Sequence, residues 1–362
     1  MGRLTPEGWT CGGAIGLGFS IGARHLVCLL VLAGCTRAEL ENKADAYNQA
    51  IAESNNRQIL LNAVRASQRA PMSFVGFGDV AAAPNWSGTA AGTFNFDPFG
   101  LTTYNVNPSV SVNGGFTSFT MNNLNNAAFA EKLQHPLDKG IIAHFVDLKF
   151  PKELVQLIFV QEYKISARQH RKIANEVALR CNAPQDSRTQ QFCEVLERDR
   201  ASFEAAGCHG LQEDSESILN SGRDRCTMTR FQTFERQLRL LNMTLPFTTR
   251  TGQGVLYYLG ELIAAQNYSA FPFTPEIFIE TPDGRRRTVP LFEVKRGIVD
   301  PGTAAVAVTY NNESFYIPKP AFGAIDEARS LQVLDLVSQV ITAATSQDAL
   351  PKSSTVTLVQ AR

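Results

Sequence analysis

The chain has 362 residues, of which 44% are hydrophobic and 19% are charged, so it is long enough to fold around a sizeable core. Its 34 basic and 34 acidic residues balance, and this neutrality argues against a nucleic-acid partner, which requires a basic surface. No apolar stretch reaches the roughly 18 residues that a transmembrane helix requires. We therefore expect a folded protein that binds no nucleic acid and has no membrane-spanning helix.

The N-terminal region contains one apolar run, Leu26–Ala33, which follows the basic residue Arg24. The length of this run fits the h-region of a signal peptide, and the small residues that come next fit a cleavage site. A buried apolar strand that happens to end in Gly34–Cys35 is the alternative interpretation. The order of charge, apolar run, small residues and cysteine favours the signal peptide.

The run ends in Leu32, Ala33, Gly34 and Cys35. These residues resemble the lipobox of bacterial lipoproteins, and the resemblance covers only residues 24–35. It implies that the leader is cut directly before Cys35 and that lipid is attached to the thiol of that cysteine. The family of the mature domain is not identified by this motif.

Thr36, and not aspartate, follows Cys35, so the inner-membrane retention signal of enteric bacteria is missing. The resemblance therefore implies an outer-membrane lipoprotein that faces the periplasm or the cell surface. A single acyl chain binds a membrane only marginally, because each buried CH₂ contributes about 0.8 kcal/mol. Lipoproteins of this class carry two or three chains, which together make a lasting anchor.

The next two segments differ sharply in composition. Thr36–Arg69 predicts a helix that ends before Pro71 and serves either as a spacer or as a packing helix. In contrast, Asp79 and Asp97 are the only charged residues of 70–126, which is rich in Phe, Asn and Gly. Disordered segments usually combine low hydrophobicity with high charge, so this composition is not that of a plain linker.

Within 70–126, residues Ser109–Val112 alternate between polar and apolar, Asn113–Gly114 favours a turn, and Phe116–Met121 can return as a second strand. We therefore expect a β-hairpin. Three interpretations of the segment remain open: packing on the protein's own core, binding of a partner, or entry of a strand pair into the outer membrane. The last is disfavoured because the alternation is short and broken. The candidate partner-contact residues are Phe94, Phe96, Phe99, Phe116 and Phe119.

The remainder of the chain predicts an α+β fold. Short helices punctuated by Pro136 and Pro151 are expected first, and two amphipathic helices near Val255–Ile263 and Ser330–Ala344 later. A strand pair is expected around Asn311–Asn312. The predicted organisation is a signal peptide (1–34), an anchor and N-terminal helix (35–69), a β or loop segment (70–126) and an α+β domain (127–362) with a Cys-containing helical insertion (179–227).

The mature chain contains four cysteines besides Cys35, all in the polar insertion. An even set in an exported protein predicts two disulfides, and the sequence leaves all three pairings open. A zinc site that includes His209 is the alternative, but the long spacings lack the short knuckle of structural zinc sites. The four candidates are Cys181, Cys193, Cys208 and Cys226.

The predicted mature chain contains no recognised catalytic motif. Gly18–Gly22 matches G-x-S-x-G but lies in the predicted leader, and no phosphate-binding loop, H-E-x-x-H or complete dinucleotide fingerprint occurs. We expect no cofactor and no metal. His135 should mark a helix end, and His144 should be a packed core residue.

These observations predict a lipid-anchored cell-envelope protein with a scaffolding or partner-binding role. Its expected partners are the membrane, through the anchor, and envelope proteins. An envelope hydrolase that acts on cell-wall or lipid material is the alternative, because catalytic groups can be assembled in space without a motif. A deep pocket with His144 or His170 beside a serine or carboxylate would favour that alternative.

Overall fold

The computed structural model divides the chain into two compact units. In the first unit, Met1–Ala52, the described residues 48–52 are helical. The second unit is Glu53–Arg362, and all the elements discussed below belong to it. The structure describes residues 45–46, 48–82, 85–92, 106–113, 117–208, 217–269, 272–280, 286–300, 302–321 and 328–344.

The second unit is α+β, as the sequence predicts, because packed helices alternate with short antiparallel strands. The helices are α1 (53–67), α2 (Ala127–Gln134), α3 (Gly140–Asp147), α4 (Lys152–Phe159), α5 (Ala167–Asn182), α6 (Ser187–Ala205), α7 (Arg225–Leu240), α8 (Gly252–Asn267) and α9 (Arg329–Ala344). The strands are β1 (Val75–Ala82), β2 (Asn85–Gly92), β3 (Val106–Asn113), β4 (Thr117–Asn123), β5 (Val160–Lys164), β6 (Ser217–Leu219), β7 (Phe247–Thr249), β8 (Glu276–Glu280), β9 (Arg286–Pro290), β10 (Lys295–Arg296), β11 (Ala304–Tyr310) and β12 (Glu313–Pro318).

The first four strands form two antiparallel pairs in a nested order, β2 with β3 and β1 with β4. We call these two pairs the ribbon. The predicted hairpin between 109–112 and 116–121 is wrong in its pairing, although both segments lie in strands. Asn113, which was expected in the turn, pairs with Asn85, and Phe119 pairs with Val80. Each half of the predicted hairpin thus has a partner earlier in the chain.

Prolines and caps set the limits of α2 and α4. Asn126 accepts a hydrogen bond from the Phe129 amide (2.8 Å) and thereby caps α2, which ends before Pro136. Pro151 directly precedes α4, where its missing N–H costs nothing. Seven of the eight residues of α4 are buried, so this helix lies in the core, as its apolar sequence predicts.

The C-terminal end of α4 is stabilised by two buried polar side chains. Asn220 donates from Nδ2 to the Leu157 carbonyl (2.7 Å), and Arg250 donates from Nε to the Ile158 carbonyl (3.2 Å). The guanidinium also lies 3.9 Å from the ring centroid of Tyr258. Burial lowers the pKa of Arg250 to about 10, so this side chain remains a cation at neutral pH. Its positive charge stabilises the C-terminal end of α4, which is the negative end of the helix dipole.

The sheet that follows α4 has the order β6-β5-β7, with both outer strands antiparallel to β5. Along the chain, α5 and α6 lie between β5 and β6, and α7 lies between β6 and β7. Two disulfides connect these three helices. Cys181 of α5 bonds to Cys193 of α6, and Cys208, just after α6, bonds to Cys226 of α7. The prediction of two disulfides is confirmed, and of the three possible pairings the structure has the one between sequence neighbours.

The C-terminal part of the fold agrees well with its sequence pattern. Both expected amphipathic helices form, as α8 and α9. The strands β11 and β12 pair around Asn311 and Asn312, whose φ angles of 50° and 63° are those of a type I′ turn. The sequence also predicts a strand over Thr355–Val359, and these residues lie outside the described part of the chain.

Candidate functional site

The base of the ribbon is fixed to α1 by one buried amide. Asn62 is fully buried, and it accepts the Ser73 N–H at Oδ1 (2.9 Å) while it donates from Nδ2 to the Ser73 carbonyl (2.8 Å). Gln58 donates from Nε2 to the Val75 carbonyl (3.0 Å). The side chain of Asn62 thus bonds to both backbone groups of one residue, as a neighbouring strand would.

A second set of contacts joins the base of the ribbon to α2. Phe74 is buried, and its ring meets that of Phe129 edge to face at a centroid distance of 5.2 Å. The Leu124 N–H donates to the Phe74 carbonyl (3.1 Å), and Asn125 accepts the Phe74 N–H (3.0 Å). The ribbon therefore begins and ends on a packed, hydrogen-bonded base between two helices.

The register of β2 and β3 separates their residues into two sets. Neighbours in a strand belong to opposite faces, and directly paired residues share a face. The two strands contain no charged residue. One set, which we call the apolar face, is Trp86, Gly88, Ala90, Gly92, Val106, Pro108, Val110 and Val112. The other, the polar face, is Asn85, Ser87, Thr89, Ala91, Asn107, Ser109, Ser111 and Asn113.

The outer pair, β1 with β4, has an irregular register, and its larger apolar residues share a face with Asn123 and Thr117. The register shifts between Phe77 and Val80, where β1 advances three residues while β4 advances two, from Met121 to Phe119. The shift keeps Phe77 and Val80 on one face, although one number is odd and the other even. The pairs on that face include Phe77↔Met121 and Val80↔Phe119, and those on the other include Gly76↔Asn122 and Ala81↔Ser118.

Of the five predicted contact phenylalanines, Phe119 lies in β4 opposite Val80. The other four, Phe94, Phe96, Phe99 and Phe116, lie outside the described residues. Sequence reasoning missed the apolar face itself, including Trp86 and the valines of β3. The signal was present in the alternation of Ser109–Val112, but recognising the face required the pairing with β2.

Leu32, Ala33, Gly34 and Cys35, the predicted cleavage and lipidation residues, lie outside the described residues. The cysteine candidates are all described, and both disulfides join helices of the predicted insertion. Because each of the four sulfurs is bonded to another cysteine, the zinc interpretation of this cysteine set is wrong.

A cleft of about 470 Å³ opens between α5, α6 and α7. His170 lines it and stacks on Phe234 at a centroid distance of 5.8 Å. Glu197 lines it too, but this carboxylate pairs with Arg200 (3.9 Å), whose Nε also bonds to Glu204 (3.3 Å). The cleft thus brings a histidine and a carboxylate into one lining, and the carboxylate is paired with an arginine.

His135 and His144 do not enter this cleft. His135 is the C-terminal cap residue of α2, which confirms the predicted helix end. The expectation that His144 is packed in the core is wrong, because this residue is exposed. The buried face of α3 carries Ile142 and Phe145, three residues apart, and His144 lies on another side of the helix.

A buried charge network joins α4, α6 and α7. Arg236 contacts the Glu153 carboxylate (2.9 Å) and both oxygens of Asp199 (2.6 Å), and Arg239 also reaches Glu153 (3.0 Å). Burial raises the pKa of Asp199, and Arg236 opposes this rise. The side chains of Glu153 and Arg236 are only 2% and 5% exposed. The network connects the three helices through these ion pairs.

A second buried pair joins β5 to α7, where the Tyr163 hydroxyl donates to Glu235 Oε2 (2.7 Å). Burial raises the pKa of Glu235 to about 7, although the hydrogen bond from Tyr163 and the charges of Lys152 and Arg239 act in the opposite direction. Burial and the adjacent carboxylate raise the pKa of Tyr163 well above its usual range. This pair is a structural contact inside the core, with a carboxyl group that titrates near neutrality.

Within the described residues, no cluster of three or more His, Cys, Asp or Glu side chains could hold a metal ion. No helix of the described part is long and apolar enough to cross a membrane. No protein-family model matches the chain, and no curated protein or solved structure is significantly similar to it.

Proposed function

We propose that the chain is a cell-envelope lipoprotein, anchored through Cys35, whose role is contact through the ribbon and not catalysis. The observation that carries this proposal is the register of β2 and β3, which places apolar residues on one face and polar residues on the other. Because the pair contains no charged residue, the apolar face is suited to burial against another surface.

The stability of the ribbon supports a contact role. An isolated two-stranded hairpin is at best marginally stable in water, and it normally needs a further strand or a packed helix to stabilise it. The buried base at Asn62 and Phe74 orders the first residues of β1 and the residues after β4. A partner surface on the apolar face would supply the remaining stabilisation.

The disulfides support the proposed location. Cys181–Cys193 and Cys208–Cys226 agree with an oxidising compartment outside the cytoplasm, where such bonds persist. The lipobox-like residues 32–35 would then hold the protein at a membrane in that compartment. Both features belong to one proposal, an exported and anchored protein.

The anchor is tested by replacing Cys35 with alanine and separating soluble from membrane fractions of the cells. We expect Cys35→Ala to leave the membrane fraction, or to remain there only as uncut precursor of higher mass. Cys28→Ala is the matched control, because it removes a thiol from the same leader without affecting the lipobox. Cys35→Ala protein that has the mature mass and acyl chains would contradict the anchor.

The contact role is tested by shortening the ribbon. Deletion of residues 84–114, with β1 joined to β4 through an Asn-Gly turn, removes β2 and β3 and retains the base. We expect cross-linked envelope components to be lost from the purified protein while both disulfides still form. Replacing Phe94, Phe96 and Phe99 with serine tests the intervening segment separately. An unchanged set of cross-linked components in both variants would contradict the contact role.

A further inference from the structure

We infer that a pocket between α6, α7 and the β8–β9 pair binds a phosphoryl group, either as free phosphate or on a small polar alcohol. The pocket has a volume of about 250 Å³, which is below the roughly 300–1,000 Å³ of pockets for drug-sized ligands, so it suits a small ligand. This inference goes beyond the proposed contact role, because it depends neither on the anchor at Cys35 nor on the ribbon.

The wall of the pocket on α7 is a polar stripe. Its residues follow the spacing i, i+4, i+7 and i+11, which places them on one face of the helix. They are Arg225, Thr229, Gln232 and Arg236. The last three are buried, whereas Arg225 is partly exposed. The stripe therefore runs from a buried end of the pocket toward its opening.

A second wall is formed by the β8–β9 pair. Thr288 pairs directly with Phe278, and Glu276 is two residues before Phe278, so the three residues share one face of the pair. Gln232 and Arg236 of α7 both donate to the Glu276 carbonyl, at 2.9 and 3.0 Å. These bonds fix the two walls relative to each other, so the pocket is preorganised for a ligand.

The charges at the pocket favour an anion. Arg236 is paired with Asp199, but neither Arg198 nor Arg225 forms an ion pair with a described carboxylate. Glu276 is exposed, and it too forms no ion pair within the described part of the chain. Two unpaired guanidinium groups thus line the pocket with one unpaired carboxylate, and the resulting positive charge attracts an anionic ligand.

Each of the two unpaired arginines lies over a phenylalanine ring. The Arg225 guanidinium is 5.3 Å from the ring centroid of Phe273, and that of Arg198 is 5.4 Å from the ring centroid of Phe278. A guanidinium held over a ring still has N–H donors that can bond to two phosphate oxygens in a fork. The Nε of Arg225 is buried without a hydrogen-bond partner among the described residues, and a ligand oxygen would satisfy it.

The other lining residues favour phosphate over a carboxylate or an apolar ligand. Four hydroxyl groups line the pocket, from Ser202, Thr229, Thr274 and Thr288. Two guanidinium forks already supply four donors, which is all that the two oxygens of a carboxylate accept. A phosphoryl group offers three acceptor oxygens and about two negative charges, and an attached alcohol can bond to the remaining hydroxyls. The described lining contains no Ala, Val, Leu, Ile or Met that would favour an apolar ligand.

Calorimetric titration of the purified full-length protein with glucose 6-phosphate tests the inference, and glucose is the uncharged control ligand. We expect glucose 6-phosphate to bind at least tenfold more tightly, because guanidinium–phosphate hydrogen bonds are charge-assisted. Titration with inorganic phosphate identifies the source of the phosphoryl group. Weaker binding of inorganic phosphate would assign a phosphate ester to the pocket, and equal or tighter binding would assign free phosphate.

Two double variants that remove the same charge form the matched pair. Arg198→Gln with Arg225→Gln changes the pocket, whereas Arg171→Gln with Arg200→Gln changes exposed residues that do not line it. We expect the first to weaken binding roughly a hundredfold, because each charge-assisted contact contributes about tenfold or more. The second should leave the affinity unchanged. Arg198→Gln alone, at an exposed position that folding does not depend on, should still weaken binding roughly tenfold.

Three outcomes would overturn the inference. The first is a lack of binding by both phosphate probes at millimolar concentration. The second is equal affinity for glucose and glucose 6-phosphate, which would exclude recognition of the phosphoryl group. The third is an equal loss in both double variants, which would show that overall charge and not this pocket attracts the ligand. Membrane fractionation and cross-linking would be unaffected in each case, so the proposed anchor and contact role would be judged separately.

Discussion

The helices α4 and α6 obtain their stability in different ways. In α4, seven of eight residues are buried, whereas in α6 only Val195 and Leu196 of nineteen residues are buried. Helix α5 resembles α6, with Ile173 and Val177 buried among sixteen residues. A helix with so little buried apolar surface gains little from the hydrophobic effect. Something else must hold α5 and α6 against the core.

That additional stabilisation is covalent and ionic. The disulfide Cys181–Cys193 connects α5 to α6, and Cys208–Cys226 connects the end of α6 to α7. Asp199 of α6 accepts two hydrogen bonds from Arg236 of α7. A peripheral helix pair can therefore be fixed to a core by a few strong links, whereas α4 relies on burial along almost its whole length.

The largest effect is expected from breaking the ionic link. Arg236→Met leaves Asp199 without this cation and Glu153 with only Arg239, and removing one partner of a buried ion pair costs about 3–5 kcal/mol. Urea unfolding followed by circular dichroism measures the change. Arg200→Met is the control, because its pairs with Glu197 and Glu204 are exposed. Equal losses in both variants would contradict the importance of burial.

The disulfide between α6 and α7 is the next largest link. In the chain-entropy model, closing a loop of 18 residues contributes about 3 kcal/mol, so Cys208→Ser with Cys226→Ser should lose that amount. Hydrogen exchange should rise first in α6 and much less in α8, which has its own buried face. Cys181→Ser with Cys193→Ser should have a slightly smaller effect. If α8 lost protection as early as α6, the contrast between the regions would be wrong.

The core also contains Glu235, whose ionisation should lower the free energy of unfolding as pH rises. Burial raises the pKa of Glu235 from 4.5 to about 7, so the folded state retains a proton that the unfolded state releases between these values. Stability is therefore lost as pH rises from 4.5 to 7, and the loss above pH 7 is about 3 kcal/mol. Glu235→Gln, which still accepts a hydrogen bond from the Tyr163 hydroxyl, should remove this pH dependence of stability. The control Glu131→Gln, at an exposed site, should leave the pH profile unchanged.

The helical core could be predicted well because its signals are local. Pro136 and Pro151 limit short helices, the apolar stripes of α8 and α9 have helical spacing, and Asn311–Asn312 favours the turn between β11 and β12. Each of these features depends on residues within a few positions of one another. Local propensity and final structure therefore agree.

The ribbon and the buried charges could not be predicted in the same way, because their partners are distant in sequence. Asn113–Gly114 is a strong local turn signal, yet Asn113 pairs with Asn85, and the register shift after Phe77 hides the alternation of β1. Glu153 and Arg236 are 83 residues apart, and charged residues are normally exposed. Only the tertiary pairing reveals either feature.

The smallest effect is expected at the base of the ribbon. Asn62→Ala leaves the Ser73 N–H and carbonyl without their side-chain partners, which should cost about 2 kcal/mol. Because this contact serves the ribbon and not the core, exchange should rise at residues 73–76 while α4 and α8 remain protected. Gln58→Ala, which removes one bond to the partly buried Val75 carbonyl, should change less. A global loss of protection after Asn62→Ala would show instead that the ribbon base and the helical core unfold together, so that the ribbon could not respond independently to a surface that it contacts.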